Sequence, residues 1–304
     1  MSRRPWWFLN VIYYFPLAVL AFVASLVTHP TVLVGNGIVS AIILRALKTR
    51  KRRLILVYHG YSGHVGRIRR ILHILLSGCD AATANSTTSV EDLSRIIDPR
   101  KIVLVPHSAD VVFFQSPLDR PIRERIVVLF VGRLVDEKFA QCLRVCRALA
   151  SEGVAELWAV GDGSLAKQVE DAPGCAWLGY ISERERLAEI YAKADIVWAP
   201  ADVTYISLPG AEALASGCPV IVSDIPAVEA KARAGVRIPR DLVPADVGKV
   251  VDGEDDEEAA TFIRALANGG IPPGMRAACR RYANEHHGPM TIRLVTDLLF
   301  ESSS

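Results

Sequence analysis

Short apolar runs alternate with helix-patterned segments along most of this 304-residue chain, and that rhythm constrains the fold more than any other feature. Runs that are apolar throughout belong to strands buried on both faces, and strands separated by helices pair in parallel. A first series reads as strand 31–35, helix 37–49, strand 54–58, helix 67–77, strand 80–84, helix 86–97 and strand 101–106. A second reads as strand 126–132, helix 138–151, strand 155–161, helix 164–170, strand 175–179, helix 183–193, strand 195–200, helix 209–216, strand 219–224 and helix 226–234. The acidic run 252–258 precedes a helix at about 257–268 and suits its positive dipole end, and a last helix is expected at about 290–300.

Residues 114–122 (FQSPLDRPI) hold two prolines and charge, and read as an interdomain linker. The division expected is 1–117, 118–288, and a C-terminal segment 289–304 that can cross back to the first domain. The fold class expected is α/β, with two arrays of parallel strands and helices.

A net charge of +2 gives no global basic field of the kind that drives nucleic-acid binding. The cations cluster locally instead, at Lys48, Arg50, Lys51, Arg52 and Arg53, and at Arg67, Arg69 and Arg70. Six cysteines occur without a CxxC pair or a His at zinc-ligand spacing, so no metal site is expected and a reducing, cytoplasmic compartment is. Cys142 and Cys146 share a helix face and read as core.

Hydrophobic residues make up 51% of the chain, which is apolar for a soluble enzyme. Residues 6–27 are apolar apart from Asn10 and Ser25. Three readings fit: a core helix, a helix lying in a membrane surface through Trp6, Trp7, Tyr13 and Tyr14, or a span. Only three residues separate the stretch from strand 31–35, which disfavours the span.

Ligands of open parallel sheets sit beyond the carboxyl ends of strands. Strand 126–132 ends in Gly132 and Arg133, with Lys138 opening the next helix; a planar guanidinium and a mobile ammonium beside a helix start suit a diphosphate. Strand 155–161 ends in Gly161, Asp162 and Gly163, where glycine allows close backbone approach to a ligand. Main-chain groups at Tyr180 and Ile181 follow the next strand and can read a base edge. A Pro-started helix follows in Ser207, Leu208, Pro209 and Gly210, with Glu212 one turn in, where a carboxylate can accept two ribose hydroxyls. Gly217 has the position of a helix-terminating C′ glycine.

Taken in order, GRLVDEK, VGDGSL, WLGYISERERLAEIYAKADIVWAPA and SLPGAEALASGCPVIVSD resemble the retaining GT-B glycosyltransferases of family GT4. PTVLVGNGIVSAIILRAL, LILVYHG, CDAATANSTTSVEDLSRI and DPRKIVLVPHSADVVFF are similar to the later part of that family's acceptor-side domain, so the resemblance covers roughly 30–300. It implies two Rossmann-like domains facing a cleft, the N-terminal one truncated, and a nucleotide-sugar donor with no cofactor or metal. It implies that Arg133 and Lys138 hold the donor diphosphate, that Glu212 binds the ribose, that the amides near Leu208 and Gly210 approach phosphate or sugar, and that His59 contacts the transferred sugar.

Two departures stand out. Thr204 occupies the position, eight residues before Glu212, where the family commonly has Glu, with Asp202 nearby. The family's opening strand and Gly-rich loop have no counterpart before residue 30, leaving a strand edge that the apolar helix, a second subunit or a membrane would cover. The function expected is transfer of a sugar from a UDP- or GDP-sugar to a lipid-linked or glycan acceptor, by a protein peripheral on the cytoplasmic membrane face. The alternative is a catalytically silent nucleotide-binding subunit that needs a partner.

Overall fold

The computed structural model describes residues 30–58, 65–120, 123–201, 205–225 and 238–300. The expected helix at 226–234, the apolar stretch 6–27, His59, Asp202 and Thr204 lie outside the described residues. Two compact units emerge: the chain through Val105 together with the part from Val295 onward, and Pro106–Leu294.

The first unit is built on a four-stranded parallel sheet in the order β1-β2-β3-β4, with β1 Val32–Asn36, β2 Arg53–Tyr58, β3 Ala81–Ala84 and β4 Ile102–Leu104. Helices α1 (Ile38–Arg45), α2 (Val65–Leu76) and α3 (Thr87–Ser94) connect them. Leu54, Leu56, Ala82, Leu93 and Ile96 form its core. Two polar ties fix the connections. Lys48 pairs with Asp80 at 2.7 Å, and the same carboxylate accepts the Leu54 amide at 2.7 Å. The Tyr58 hydroxyl donates to buried Asp92 at 2.6 Å.

The second unit holds six parallel strands: β5 Ile126–Val131, β6 Ala155–Val160, β7 Cys175–Trp177, β8 Ile196–Trp198, β9 Val220–Asp224 and β10 Gly248–Asp252. Their order is β10-β9-β8-β5-β6-β7. The chain therefore runs outward from β5 to β7, returns to the other side of β5, and runs outward again. Helices α4 (Asp136–Ser151), α5 (Ala166–Glu170), α6 (Arg184–Lys193), α7 (Leu208–Ala215), α8 (Asp256–Gly269) and α9 (Met275–His287) cover the sheet. Right-handed crossovers in opposite directions put α4 and α7 on opposite faces. Accordingly α8 packs on α4, and α9 on α7. Helix α10 (Met290–Phe300) straddles the division between the units.

The sheet core is dense. Phe130, Leu129 and Trp198 are fully buried, each such side chain contributing about 1.5–3 kcal/mol. Cys142 and Cys146 lie in that core with sulfurs 4.0 Å apart, as their spacing predicts. The acidic run does start a helix: Asp255 caps α8 by accepting the Glu258 amide at 2.9 Å.

The boundary between units falls earlier than the prolines of 114–122 suggest. A 3-10 turn at Val111–Gln115 carries Phe113, wholly buried in the second unit's core, so the chain is already committed there before the linker-like residues. A polar clamp holds this entry segment: the Ala109 amide donates to the His287 carbonyl at 2.8 Å, Ser108 Oγ donates to the same carbonyl at 3.2 Å, and His287 Nδ1 lies 2.7 Å from the His107 carbonyl.

Burial pulls the His287 imidazole down from its ordinary 6.5 to about 4, partly offset by its bond to His107. A buried neutral imidazole stabilises the fold fully above pH 6.5, and that stabilisation is lost as pH falls toward 4. The gap corresponds to about 3 kcal/mol. Unfolding midpoints measured from pH 7 to pH 4 are expected to fall more steeply for the native chain than for His287→Asn, which keeps a donor near Nδ1 but does not titrate; equal slopes would contradict this.

Candidate active site

The reversal of strand order lies between β5 and β8, which pair Val128 with Ile196, Leu129 with Val197 and Phe130 with Trp198. In an open parallel sheet the crevice beyond the carboxyl ends at such a reversal is where ligands bind. The segments leaving these two strand ends are Gly132–Lys138 and the loop to Ser207 and α7. Both lie within the second unit.

The β5 end carries the cations. Arg133 is exposed and Lys138 half-buried, in the first turn of α4. Among the described residues neither side chain makes a hydrogen bond or ion pair. Their placement comes from the backbone. The Gly132 amide donates to Val160 at 3.0 Å, Leu134 to Asp162 at 2.9 Å, and Leu165 back to Leu134 at 2.9 Å.

The glycines of the next loop serve this bracing. A Cβ on Gly161, whose φ is +129°, would sit 1.9 Å from the Gly132 carbonyl oxygen; one on Gly163 would sit 2.4 Å from that of Leu134. The close partner of both glycines in this structure is the neighbouring loop. Asp162 is exposed and accepts the Gly163 amide at 2.7 Å. Trp177 Nε1 donates to the Gly161 carbonyl at 2.8 Å, and the Gly161 amide donates to Gly179 at 2.8 Å. Beyond Gly179, Tyr180 is 80% exposed while Ile181 is buried. Among the described residues the amides of both lack a hydrogen-bond acceptor.

The β8 end supplies a helix start. Ser207 is the extended residue before α7, and its side chain caps nothing. Its Oγ is buried without a partner among the described residues. The first intrahelical bond runs from the Ala211 amide to Ser207 at 2.9 Å, so the amides of Leu208 and Gly210 point out of the helix start. Pro209 has no amide hydrogen to leave unsatisfied. Gly210 lets α7 pack closely, because a Cβ there would meet Ile206 at 2.7 Å.

The other end of α7 is firmly held. Gly217, at φ +76°, donates to Leu214 at 2.9 Å, and Cys218 donates to Ala213 at 2.8 Å, the bond pair of a glycine-terminated helix. Around it, Arg120 donates to the carbonyls of Ser216 (2.7 Å) and Tyr191 (3.1 Å), Arg280 to Ala215 (3.1 Å), and Arg276 pairs with Asp195 at 3.0 Å. Guanidiniums suit the negative end of a helix dipole. Burial, and then the charge of Arg120, lowers the pKa of both Arg276 and Arg280.

Glu212 is 2% exposed, neither solvated nor open. Arg184 Nη1 donates to its Oε1 at 2.5 Å, and the Tyr191 hydroxyl donates to its Oε2 at 3.1 Å. Burial raises the Glu212 pKa, while Arg184 and Tyr191 oppose that rise. Tyr191 is raised well above its ordinary value, first by burial and then by the Glu212 charge. Sequence reading missed Arg184 and Tyr191. The signal was there for one of them: Arg184 opens α6, where a cation faces the positive end of the helix dipole and needs an anionic partner.

Among the described residues no group of three His, Cys, Asp or Glu side chains gathers as a metal site.

Residues 125–268 match the family described as glycosyl transferases group 1. The chain is 29% identical over 215 residues to a GDP-mannose-dependent alpha-(1-6)-phosphatidylinositol dimannoside mannosyltransferase of Mycobacterium tuberculosis, covering 66% of this chain and 52% of the relative. It is 27% identical over 247 residues to a D-inositol 3-phosphate glycosyltransferase of Rhodococcus jostii, covering 73% and 52%. The chain thus spans about half the length of these curated relatives. Among solved structures, HepE of Anabaena in complex with UDP superimposes with a TM-score of 0.70 at 16% identity, covering 94% of this chain and 82% of that one. A glycosyltransferase from Rickettsia africae gives 0.71 at 14%, covering 99% and 84%.

The backbone contact at Gly161 carries a prediction. Gly161→Ala is expected to lower stability by about 2–4 kcal/mol, through a backbone clash and an unfavourable φ. Denaturant unfolding checks this, and a change below about 0.5 kcal/mol would contradict the bracing. By fold the chain is a GT-B protein, and its residues 125–268 are similar to the glycosyl transferases group 1 family.

Proposed function

We propose that the protein is a retaining, GT4-like glycosyltransferase that needs no metal. It takes a UDP- or GDP-sugar and passes the sugar to a lipid-linked or glycan acceptor at a membrane surface. The observation that carries this reading is the make-up of the β5/β8 reversal: two cations whose side chains have no protein partner among the described residues follow one strand, and an open helix start, with a hydroxyl likewise unpartnered, follows the other. A nucleoside diphosphate matches that set, with anionic oxygens for Arg133 and Lys138 and for the amides of Leu208 and Gly210.

In the proposed reaction the bond from the anomeric carbon to the diphosphate oxygen breaks, and the acceptor hydroxyl oxygen bonds to that carbon. Retention places both events on one face of the sugar, so the hydroxyl proton passes to the departing diphosphate. Arg133 and Lys138 stabilise the charge growing there. Glu212 takes the ribose, the free amides at Tyr180 and Ile181 read the base, and Thr204 and His59 contribute to the sugar's surroundings. The GDP-mannose dependence named for the mycobacterial relative supports testing GDP-mannose first, and its phosphatidylinositol acceptor supports a lipid.

The test is nucleotide release and product formation from UDP- and GDP-sugars with phosphatidylinositol glycolipid and polyprenyl-linked acceptors. Arg133→Ala and Lys138→Ala are each expected to lower kcat by about 100-fold or more, with unchanged unfolding midpoints. Full turnover in both variants would overturn the assignment. Nucleotide binding without turnover on any acceptor would favour the catalytically silent subunit, a reading supported by Thr204 and by the occupied carboxylate of Glu212.

Membrane association belongs to the same proposal. Among the described residues no helix is long and apolar enough to cross a membrane. The first unit nevertheless has a groove of about 1010 Å³ walled by Arg45, Lys48, Arg50, Arg52 and Arg53, with Asp80. On α2, Ile71 and Ile74 are 58% and 64% exposed. Basic residues near an anionic surface contribute about 1 kcal/mol each. Reversing Arg50 and Lys51 to Glu is expected to weaken binding to phosphatidylglycerol-containing vesicles by about tenfold or more. Association unaffected by the reversal and by salt would contradict it.

A further inference from the structure

The two donors on Glu212 differ in kind. Tyr191 is a fixed part of the core: it is wholly buried, its ring meets Phe113 edge-on at 5.4 Å, and its hydroxyl also lies 3.3 Å from the Pro209 carbonyl. Arg184 is a movable arm. It reaches in from the first residue of α6, 46% of its side chain is exposed, and its other contact among the described residues is the face of Phe113 at 5.7 Å. Glu212 is sealed by a side chain that itself stands half in solvent.

A buried carboxylate stripped of its partner is strongly destabilising. A chain without donor therefore needs a cation or a pair of donors on Glu212, whereas a chain with donor has the ribose diol to offer. A guanidinium presents planar N–H donors to a carboxylate much as a cis-diol presents two hydroxyls. The two compete for the same oxygens.

We propose that Arg184 occupies the place of the ribose on Glu212 in the donor-free chain and is exchanged for the donor's 2′ and 3′ hydroxyls on binding. This rests on the donor reading above and extends it to a specificity residue. The exchange lowers the gain from the diol, because the charge-assisted bond from Arg184 to Oε1 is broken as the hydroxyl bonds form. Tyr191 remains on Oε2 throughout and keeps the carboxylate aimed. The charged groups facing Glu212 are Arg184 from α6 and Asp110 from the segment entering the unit, whose negative charge favours retaining a cation nearby until the donor arrives.

Titration calorimetry with UDP, GDP and their 2′,3′-dideoxy forms separates the possibilities. Arg184→Ala is expected to bind the ribonucleotides about three- to tenfold tighter than the native chain, with the dideoxy forms unchanged within about twofold. Its nucleotide-free unfolding midpoint should fall. Arg184→Lys, which keeps the charge without the planar fork, should lie between and serves as the working variant if the alanine form does not fold. An unchanged ratio of ribo to dideoxy affinity would overturn the exchange. So would equal weakening of both, which would put Arg184 on the phosphates or the base. If nucleotides bind in an Arg133-dependent way and the ratio stays fixed, only the exchange fails. If neither nucleotide binds either form, the donor reading fails and the exchange with it.

Discussion

The reversal of strand order beside β5 is the constraint on which the rest of the second unit depends. A parallel sheet that grows in one direction sends every right-handed crossover to one face. Growth that turns back at β5 sends α4 to one face and α6, α7 and α9 to the other, so the segments leaving β5 and β8 diverge and leave space between them. One segment bordering that space carries Arg133 and Lys138, and the other leads to the open start of α7. No single residue creates the arrangement; pairing of Val128 with Ile196 and of Phe130 with Trp198 does.

Rigidity around this space comes from backbone contacts. The loop after β5 is held by the loop after β6 through Gly161 and Gly163, and α7 is fixed at its far end by Gly217 and by the guanidiniums of Arg120 and Arg280. Among the described residues these fixed parts leave polar groups unsatisfied at the near side: the Ser207 hydroxyl, the first amides of α7, and the amides of Tyr180 and Ile181. Unsatisfied polar groups in an otherwise well-bonded core point to a missing partner. Glu212 is the exception, since Arg184 already serves it.

Much of this was legible in the sequence, because apolar runs such as IVVLFV, and VIV in β9, bounded by helical segments read as doubly covered strands, and because Pro209 and Gly217 mark the two ends of one helix. Strand order is not a local property, so the reversal cannot be read from the runs themselves. Helix α9 escaped notice because its buried face is built largely from small residues, Ala278, Cys279 and Ala283, which carry little periodic signal among charged neighbours. β10 escaped because five residues, GKVVD, were too short a run to stand out. The glycines after β6 were visible but their partner was not: a close approach to another loop and a close approach to a ligand look alike in one dimension. The same holds for Glu212, whose burial depends on Arg184 and Tyr191, distant in sequence.

A crystal structure of the chain grown with UDP or GDP tests the central claim most directly. The account predicts diphosphate oxygens about 3 Å from the Arg133 guanidinium and the Lys138 ammonium, at the start of α7. A nucleotide seated away from the β5/β8 reversal, with both side chains turned from it, would contradict the account.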